Sequence, residues 1–260
     1  MDYRDIACLL PIRNDYDIVY KHLVYYYNIG CRNFYILIHC GDDRDRKEVD
    51  RFKVKSKANV EVIIDNDPTY NQDKQYMKLS HAAKGHKWHV MSDTDELLIL
   101  KKHKTLKDYF AGKDYDCIRF KWYAYVDVTG NDIFQWSHRC SKVYDPNTKA
   151  AMRYKPGLVW SWGHHHINGK ASCLMESSDN AFYGHFILRD YKMWKQRKLD
   201  FADAKRKRFG DNQFWMEQCS YYEIKNNPKF LEKKFKQGKM KYYNCDLIYD
   251  PIPSELFVLG

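Results

Sequence analysis

The first 92 residues alternate between short apolar runs and stretches with helical spacing, and this alternation limits the folds open to the chain. The apolar runs, each of a length typical of one strand, are 6–12, 34–40, 60–65 and 88–92. Nearly continuous apolar runs are typical of strands covered on both faces. Strands that alternate with helices favour a mostly parallel sheet with right-handed crossovers. We therefore predict an α/β fold in which a mostly parallel sheet is flanked by helices.

Beyond residue 113 the alternation fades into short aromatic strands and a long basic stretch. Strands are predicted at 117–126, 139–145 and 157–162. A helical stretch is predicted from about residue 190 to residue 237. The sequence shows no internal repeat and no clear linker. We therefore predict one domain, 1–260, with a first half at 1–113 and an elaborated second half with C-terminal helices at 114–260.

The bulk composition limits the partners and the compartment without choosing a function. The net charge of +10 and the pI near 9.0 imply affinity for anions, which include nucleic acid, an anionic surface and phosphorylated small molecules. The eight cysteines show no metal-type spacing, so we predict free thiols. The N-terminus lacks a signal-peptide pattern, and no apolar run approaches the roughly 18 residues of a membrane span. A cytoplasmic location is the simplest expectation.

Three carboxylates, Asp93, Asp95 and Glu96, stand directly after the fourth apolar run. In open α/β sheets, ligands bind beyond the carboxyl ends of the strands, so these acids lie at the predicted ligand edge. Two aspartates separated by one residue suit a hard cation such as Mg²⁺ or Mn²⁺. The D-x-D pattern alone is weak, because a capped turn would also explain it. The position after a buried strand favours the metal.

Three stretches together resemble the GT-A fold nucleotide-sugar glycosyltransferases, in the group with a family 2-like pattern. These stretches are 9–43, 75–100, which contains the D-x-D-E motif, and 183–198. The resemblance implies a GT-A-like (Rossmann-like) fold with an acceptor-side second half. It also implies a Mn²⁺ or Mg²⁺ ion held by Asp93, Asp95 and His185, which bridges the diphosphate of a nucleotide-sugar donor. Such an ion would act as the Lewis acid for the leaving nucleoside diphosphate.

The same resemblance places the nucleotide of the donor, UDP- or GDP-linked, after the first two strands. The implied contact residues are Pro11, Arg13, Asn14, Asp42, Lys78 and Asp93. Asp43 is an alternative to Asp42, and ordinary turn chemistry would also explain Asn and Asp at these positions. Basic residues that follow His185 would share the phosphate charge, and these are Arg189, Lys192, Lys195 and Arg197.

An inverting transfer requires a base that deprotonates the acceptor hydroxyl on the face opposite the leaving group. We choose Asp179 as the catalytic residue, and the rival carboxylates are Glu176, Asp127 and Asp211.

The segment 160–170 contains three successive histidines, which cannot all share one face of an extended chain. Its aromatic side chains suit a sugar ring or a nucleobase, or the packing of a half-buried edge strand, while a zinc site lacks further ligands nearby.

Through this resemblance the sequence favours a metal-dependent glycosyltransferase that moves a sugar, with net inversion, from a nucleotide-sugar donor to a hydroxyl of a glycan, glycolipid or glycoprotein acceptor. The basic second half also suits peripheral contact with an anionic membrane. Two alternatives stay open. A nucleotidyltransferase or nuclease would use Glu96 as a third acid, and a noncatalytic basic protein would bind in a strongly salt-dependent way. Nucleic acid is not the expected partner.

Overall fold

The computed structural model describes residues 2–41, 43–69, 71–127, 136–143, 148–186, 191–212, 221–243 and 245–260. The strands are β1 Ile6–Ile12, β2 Asn33–His39, β3 Asn59–Asp65, β4 Trp88–Met91, β5 Glu96–Leu100, β6 Cys117–Phe120, β7 Trp122–Val126, β8 His138–Cys140, β9 Lys149–Arg153, β10 Val159–Trp160, β11 Ile167–Asn168, β12 Cys173–Met175, β13 Ala181–His185 and β14 Leu247–Tyr249. The helices are α1 Val19–Asn28, α2 Asp43–Ser56, α3 Gln72–Ala82, α4 Leu106–Phe110, α5 Tyr191–Phe209, α6 Tyr221–Asn226 and α7 Pro228–Tyr243.

The central sheet is mostly parallel, with strand order β12-β6-β9-β4-β1-β2-β3. Its one antiparallel member within the described ranges is β9, which runs against both β4 and β6. The predicted α/β fold, a mostly parallel sheet flanked by helices, is confirmed.

Side chains of β1 alternate between two apolar clusters, and this explains its nearly continuous apolar sequence. Ile6, Cys8 and Leu10 pack in the cluster that contains residues of α1 and α2. Ala7 and Leu9 pack in the cluster that contains residues of α3. Because successive side chains of a strand point to opposite faces, a strand between two helical layers needs apolar residues at every position.

The helix ends follow local sequence signals. Asn71 precedes α3, and its side-chain oxygen accepts a hydrogen bond from the backbone N–H of Lys74 at 3.4 Å. After α1 the chain turns at Gly30, whose φ of 97° lies in the left-handed region that favours glycine.

The strand order reverses around β1, and this reversal defines the ligand edge. The chain runs outward through β2 and β3 and then crosses back to β4 on the other side of β1. Leu9 of β1 is level with Met91 of β4, and the N–H of Ser92 continues the ladder to the carbonyl of Leu9 at 3.1 Å. The chains that leave β1 and β4 therefore emerge together at a topological switch point, where open α/β sheets bind ligands.

A second sheet, with order β14-β8-β7-β13-β5, brings a distant part of the chain to this edge. β13 pairs antiparallel with β5, and this register sets His185 opposite Glu96. The predicted single strand at 117–126 is interrupted at Lys121, because β6 belongs to the central sheet and β7 to the second sheet. β5, β9 and β13 were not among the predicted strands.

Within the described ranges, no helix combines the length and the apolar character that a membrane crossing requires.

Two fully buried histidines lead us to predict that the stability of the fold decreases as the pH falls. His22 lies beside the carbonyl of Thr94 at 3.1 Å, and His89 beside that of Ala83 at 2.9 Å. Burial lowers the pKa of each from 6.5 to about 4. Since the folded pKa is the lower one, the unfolded chain binds more protons between these values. The stability contribution is therefore complete above about pH 6.5 and falls by about 3 kcal/mol per histidine as the pH falls to 4.

Urea unfolding of the parent and of His89→Gln between pH 7 and pH 4 measures this effect. The variant should lose less stability than the parent over the same interval, because glutamine does not titrate. Equal losses in the two proteins would show that His89 does not contribute to the pH dependence of the free energy of unfolding.

Candidate active site

The turn between β4 and β5 holds the D-x-D-E acids in a fixed conformation. The N–H of Glu96 donates to the carbonyl of Asp93 at 3.0 Å and closes the turn. The hydroxyl of Ser92 donates to the carbonyl of Glu96 at 2.8 Å, and Tyr26 of α1 donates to the oxygen of Ser92 at 3.0 Å. Because these partners are buried, the backbone of the turn is held from below while Asp93 faces the ligand edge.

Two neighbouring cavities open at this edge, and Asp93, Arg197 and Phe201 line both. The first cavity, of about 120 Å³, lies at the ends of β1 and β2, and its wall includes Pro11, Arg13, Asp15, His39 and Gln75. The second cavity, of about 320 Å³, is lined by Asp95, Glu96, Trp122, Lys149, His165 and His185. Asp93 therefore stands at the boundary between the two cavities.

The loop after β1 owes its shape to Asp45, a fully buried carboxylate in the first turn of α2. Its two oxygens accept the backbone N–H groups of Asn14 at 2.6 Å and Asp15 at 2.8 Å. Asn14 has a φ of 55°, and its side-chain amide donates to Asp200 of α5 at 3.0 Å. The loop is thereby tied to both α2 and α5, and Arg13 is held at the first cavity.

Three donors in the wall of the first cavity lack hydrogen-bond partners within the part of the chain that the structure describes. These donors are Nε of Arg13, Nε2 of Gln75 and Oγ1 of Thr94, and all three atoms are buried. An unsatisfied buried donor costs about 1–3 kcal/mol, and native proteins keep few of them. The first cavity therefore suits a ligand that brings acceptor oxygens or nitrogens.

Arg197 of α5 crosses the boundary between the cavities and forms ion pairs with two acids. Its Nη1 lies 2.9 Å from Oδ2 of Asp95 and 3.6 Å from Oδ1 of Asp15. Burial alone would lower the pKa of the guanidinium, but Asp15 and Asp95 outweigh burial and raise it. Arg197 is therefore a permanent cation at the site. It belongs to the basic set that was expected near the phosphates.

Lys149, the first residue of β9, is a second cation, and the sequence analysis missed it. Its Nζ lies 2.8 Å from Oε1 of Glu96 and 3.6 Å from Oδ2 of Asp93, and it donates to the carbonyl of Gly163 at 3.1 Å. Burial opposes the charged form, yet Glu96 and Asp93 raise the pKa of Lys149. A lone lysine beside the apolar residues of "KAAMR" was the available signal, because a lysine in a buried strand needs a buried acid.

The three successive histidines take three different environments. His164 is fully buried, with Nε2 3.3 Å from Oε2 of Glu96, and burial together with Lys149 lowers its pKa well below 6.5. His165 lines the second cavity and pairs with the carbonyl of Thr148 through Nδ1 at 2.8 Å. His166 is exposed. As expected, the three do not share one face.

Of the predicted metal ligands, Asp95 and His185 lie near each other, but the most compact group of possible ligands in the described residues is a different set. Nε2 of His185 is 3.7 Å from Oδ1 of Asp95 and 4.0 Å from Oε1 of Glu96. Within the described residues, the group whose ligand atoms all lie within 4.8 Å of one another is Asp93, Glu96 and His164. The assignment of Asp93, Asp95 and His185 stays a prediction.

The charges test whether this site suits a divalent cation. The ion pairs connect four carboxylates, Asp15, Asp93, Asp95 and Glu96, with two cations, Lys149 and Arg197, and leave a net charge of −2. Carboxylate oxygens with an imidazole nitrogen are a donor set that Mn²⁺ accepts. Both the charge and the donors therefore fit a Mn²⁺ or Mg²⁺ ion.

Several predicted site residues lie elsewhere. Lys78 pairs with Asp65 at 2.8 Å and is not among the described residues that line the two cavities. Asp42 and Arg189 lie outside the described residues, and Asp43 begins α2.

The structure does not bring Asp179 to the site. Asp179 is exposed and precedes β13, whereas His185 ends that strand. The extended chain of β13, Ala181–His185, alone separates its two ends by about 13 Å. Of the rivals, Glu176 is buried against Tyr109 and Lys113. The geometry therefore gives Asp179 no support as the catalytic base, because the acceptor hydroxyl would react at the other end of the strand.

No protein-family model matches the chain, and no curated protein matches its sequence. Among solved structures, S. aureus TarS in complex with UDP-GlcNAc matches with a TM-score of 0.44 and 13% identity, over 90% of this chain and 77% of that one. The mannosyltransferase PcManGT from Pyrobaculum calidifontis, in complex with GDP-Man and Mn²⁺, matches with a TM-score of 0.47 and 10% identity, over 90% and 73%. A Bacillus anthracis protein described as a glucose-1-phosphate thymidylyltransferase matches with a TM-score of 0.38 and 7% identity, over 82% and 83%. At these scores the likenesses add no argument to the one that the site itself makes.

The loop contact of Asp45 can be tested by substitution. Asp45→Asn should lower the free energy of unfolding by about 1–3 kcal/mol, because an amide supplies one acceptor oxygen for two buried N–H groups. Asp50→Asn in the same helix is the matched control, since Asp50 is half exposed and pairs with Arg46. Urea unfolding should show a change within about 0.5 kcal/mol for the control. Equal effects of the two substitutions would contradict the role of Asp45.

Proposed function

We propose that this chain is a metal-dependent glycosyltransferase of the GT-A type, which moves a sugar from a nucleotide-sugar donor to an acceptor hydroxyl. The observation that carries the proposal is the junction of the two cavities at Asp93. One cavity offers buried donors without partners, and the ion-paired acid cluster, with a net charge of −2, spans the boundary between that cavity and the second one. A nucleotide with a diphosphate needs both kinds of surface side by side.

In this proposal the first cavity binds the nucleotide of a UDP- or GDP-linked donor. Arg13 and Gln75 would donate to acceptor atoms of the nucleotide, while Pro11 near the end of β1 lines the same cavity and Asn14 follows Arg13 in the loop. The diphosphate would lie at the boundary, where Asp93 and Arg197 line both cavities. The ligands of TarS and PcManGT agree with such a donor, but the proposal does not rest on them.

Asp93, Asp95 and His185 are the proposed holders of the cation, which would supply Lewis-acid stabilisation of the leaving diphosphate. The protein's own contribution is to position these groups. The antiparallel register of β13 and β5 carries His185 to the acids, and its ring stacks on Trp122 with centroids 4.4 Å apart. Stacking of this kind restricts the ring and favours one direction for Nε2.

The second cavity is the proposed place of the transferred sugar and of the acceptor. Trp122, Trp194 and Phe201 contribute aromatic surface to it, and aromatic faces suit the apolar faces of sugar rings. The proposal also includes a glycan, glycolipid or glycoprotein as acceptor, net inversion, peripheral contact with an anionic membrane and a cytoplasmic location. It further divides the single domain, 1–260, into a donor half and an acceptor half. The proposal assigns no catalytic base.

A panel of UDP and GDP sugars with Mn²⁺ tests the function. Because ligand that binds only the folded state raises the unfolding midpoint, one donor should raise Tm above the others, by an amount that grows with its concentration. The same donor should release nucleoside diphosphate when an acceptor is present. No Tm shift and no release with any nucleotide sugar would contradict the proposal, and cleavage of nucleic acid instead would favour the nuclease alternative.

Asp93→Asn tests the metal site with little risk to folding. Burial and the neighbouring Glu96 raise the pKa of Asp93, so its charge is a cost to the folded state. The variant should therefore keep its stability and lose about 100-fold or more in Mn²⁺-dependent turnover.

Asp203→Asn is the matched control for this experiment. Asp203 pairs with Lys225 on the surface of α5, and the control should retain the parent's turnover. Parent-level activity in Asp93→Asn would remove Asp93 from the metal site.

A further inference from the structure

Glu96 is enclosed by protein groups on the inner side of the acid cluster. Its carboxylate is 1% exposed, with Oε1 2.8 Å from Nζ of Lys149 and 4.0 Å from Nε2 of His185. Oε2 lies 3.3 Å from Nε2 of His164. The described surroundings of Glu96 therefore include one permanent cation, two imidazoles and the carboxylate of Asp93, which has an oxygen within 4.8 Å of it.

Lys149 is buried, and its ammonium contacts the carboxylate of Glu96 rather than solvent. Its side chain is 4% exposed, and its ammonium donates to Glu96 and to the carbonyl of Gly163 at 3.1 Å. Its Nζ also lies 5.4 Å from the centre of the Trp122 ring. A buried ammonium with this set of partners is satisfied in place, and its removal would leave Glu96 as an uncompensated buried charge.

The pairing divides the acids of the site into two groups. Glu96 and Lys149 cancel as a neutral pair, so Asp15, Asp93 and Asp95 remain against Arg197, with a net charge of −2. That charge matches one divalent cation. Two-metal centres share carboxylates between their ions, and Nζ of Lys149 lies 2.8 Å from Oε1 of Glu96 and 3.6 Å from Oδ2 of Asp93, so its ammonium stands between the two acids that a second ion would need.

We propose that Lys149 is a positioning residue whose ammonium takes the place of a second metal ion, withholds Glu96 from the metal and limits the site to one divalent cation at Asp93 and Asp95. This inference rests on the proposed function and deepens it. It also separates the site from the two-metal arrangement of nucleotidyltransferases and nucleases, in which Glu96 would be the third acid.

Titration of the full chain with Mn²⁺, followed by electron paramagnetic resonance of the free ion, tests the inference. The parent should bind one ion. Lys149→Met should bind a second ion or bind the first at least about tenfold more tightly, because a negative charge within a few Å is released. Lys149→Arg should keep one ion at the parent's affinity. Lys233→Met, an exposed lysine of α7, is the matched control and should behave as the parent does.

The double variant Lys149→Met with Glu96→Gln guards against misfolding, since it removes both charges and leaves no buried ion unpaired. It should fold and bind one ion. Two ions in the parent, an unchanged affinity and number of ions in Lys149→Met, or loss of the ion in the double variant would overturn the role of Lys149. If the parent binds no ion, with or without a nucleotide sugar, the metal-dependent function itself fails, which is a different result.

Discussion

Asp15, Asp93, Asp95 and Glu96 meet where the strand order of the central sheet reverses, and the remainder of the site is arranged around their charge. Like charges in a poorly solvated place repel one another, and each would be costly without a partner. The protein supplies Arg197 from α5 and Lys149 from β9, so a helix and a strand from the second half converge on the end of β4. The two halves of the chain are therefore joined by electrostatics as well as by apolar packing.

This arrangement explains why the second sheet exists at the ligand edge. β13 reaches the acids only because it pairs with β5, the strand that directly follows the D-x-D turn. His185 and Glu96 share a register position, and Trp122 of the neighbouring strand β7 stacks against the imidazole. The fold thus delivers an imidazole, an aromatic wall and three acids to one place, and the second cavity forms between them.

Much of the fold could be predicted from local pattern, because buried parallel strands and amphipathic helices impose their periods on the sequence. The bounds of β1 were predicted to the residue, and Asp93 was placed at the ligand edge since it follows β4. Local pattern could not predict which strand pairs with the strand of His185, and only the family resemblance connected His185 with the acids. Antiparallel insertion of β9 between β4 and β6 was also invisible, because it depends on contacts far apart in the chain.

Lys149 was missed and Asp179 was chosen for the same reason, because local sequence does not specify which residues meet across the fold. Lys149 appeared as one lysine among many, and its role depends on burial beside Glu96, which local sequence does not specify. Asp179 was chosen because a loop acid suits an acceptor site, but the direction of β13 carries it away from the second cavity. Long-range register, rather than residue type, decided both outcomes.

The position of the metal tests the central claim most directly. Crystals of the full chain with Mn²⁺ and a nucleotide-sugar donor would show manganese by its anomalous scattering. The account predicts one peak, within about 2.0–2.6 Å of carboxylate oxygens of Asp93 and Asp95, with the ammonium of Lys149 still on Glu96. Two peaks, or one peak bound by Glu96 with Lys149 displaced, would contradict it.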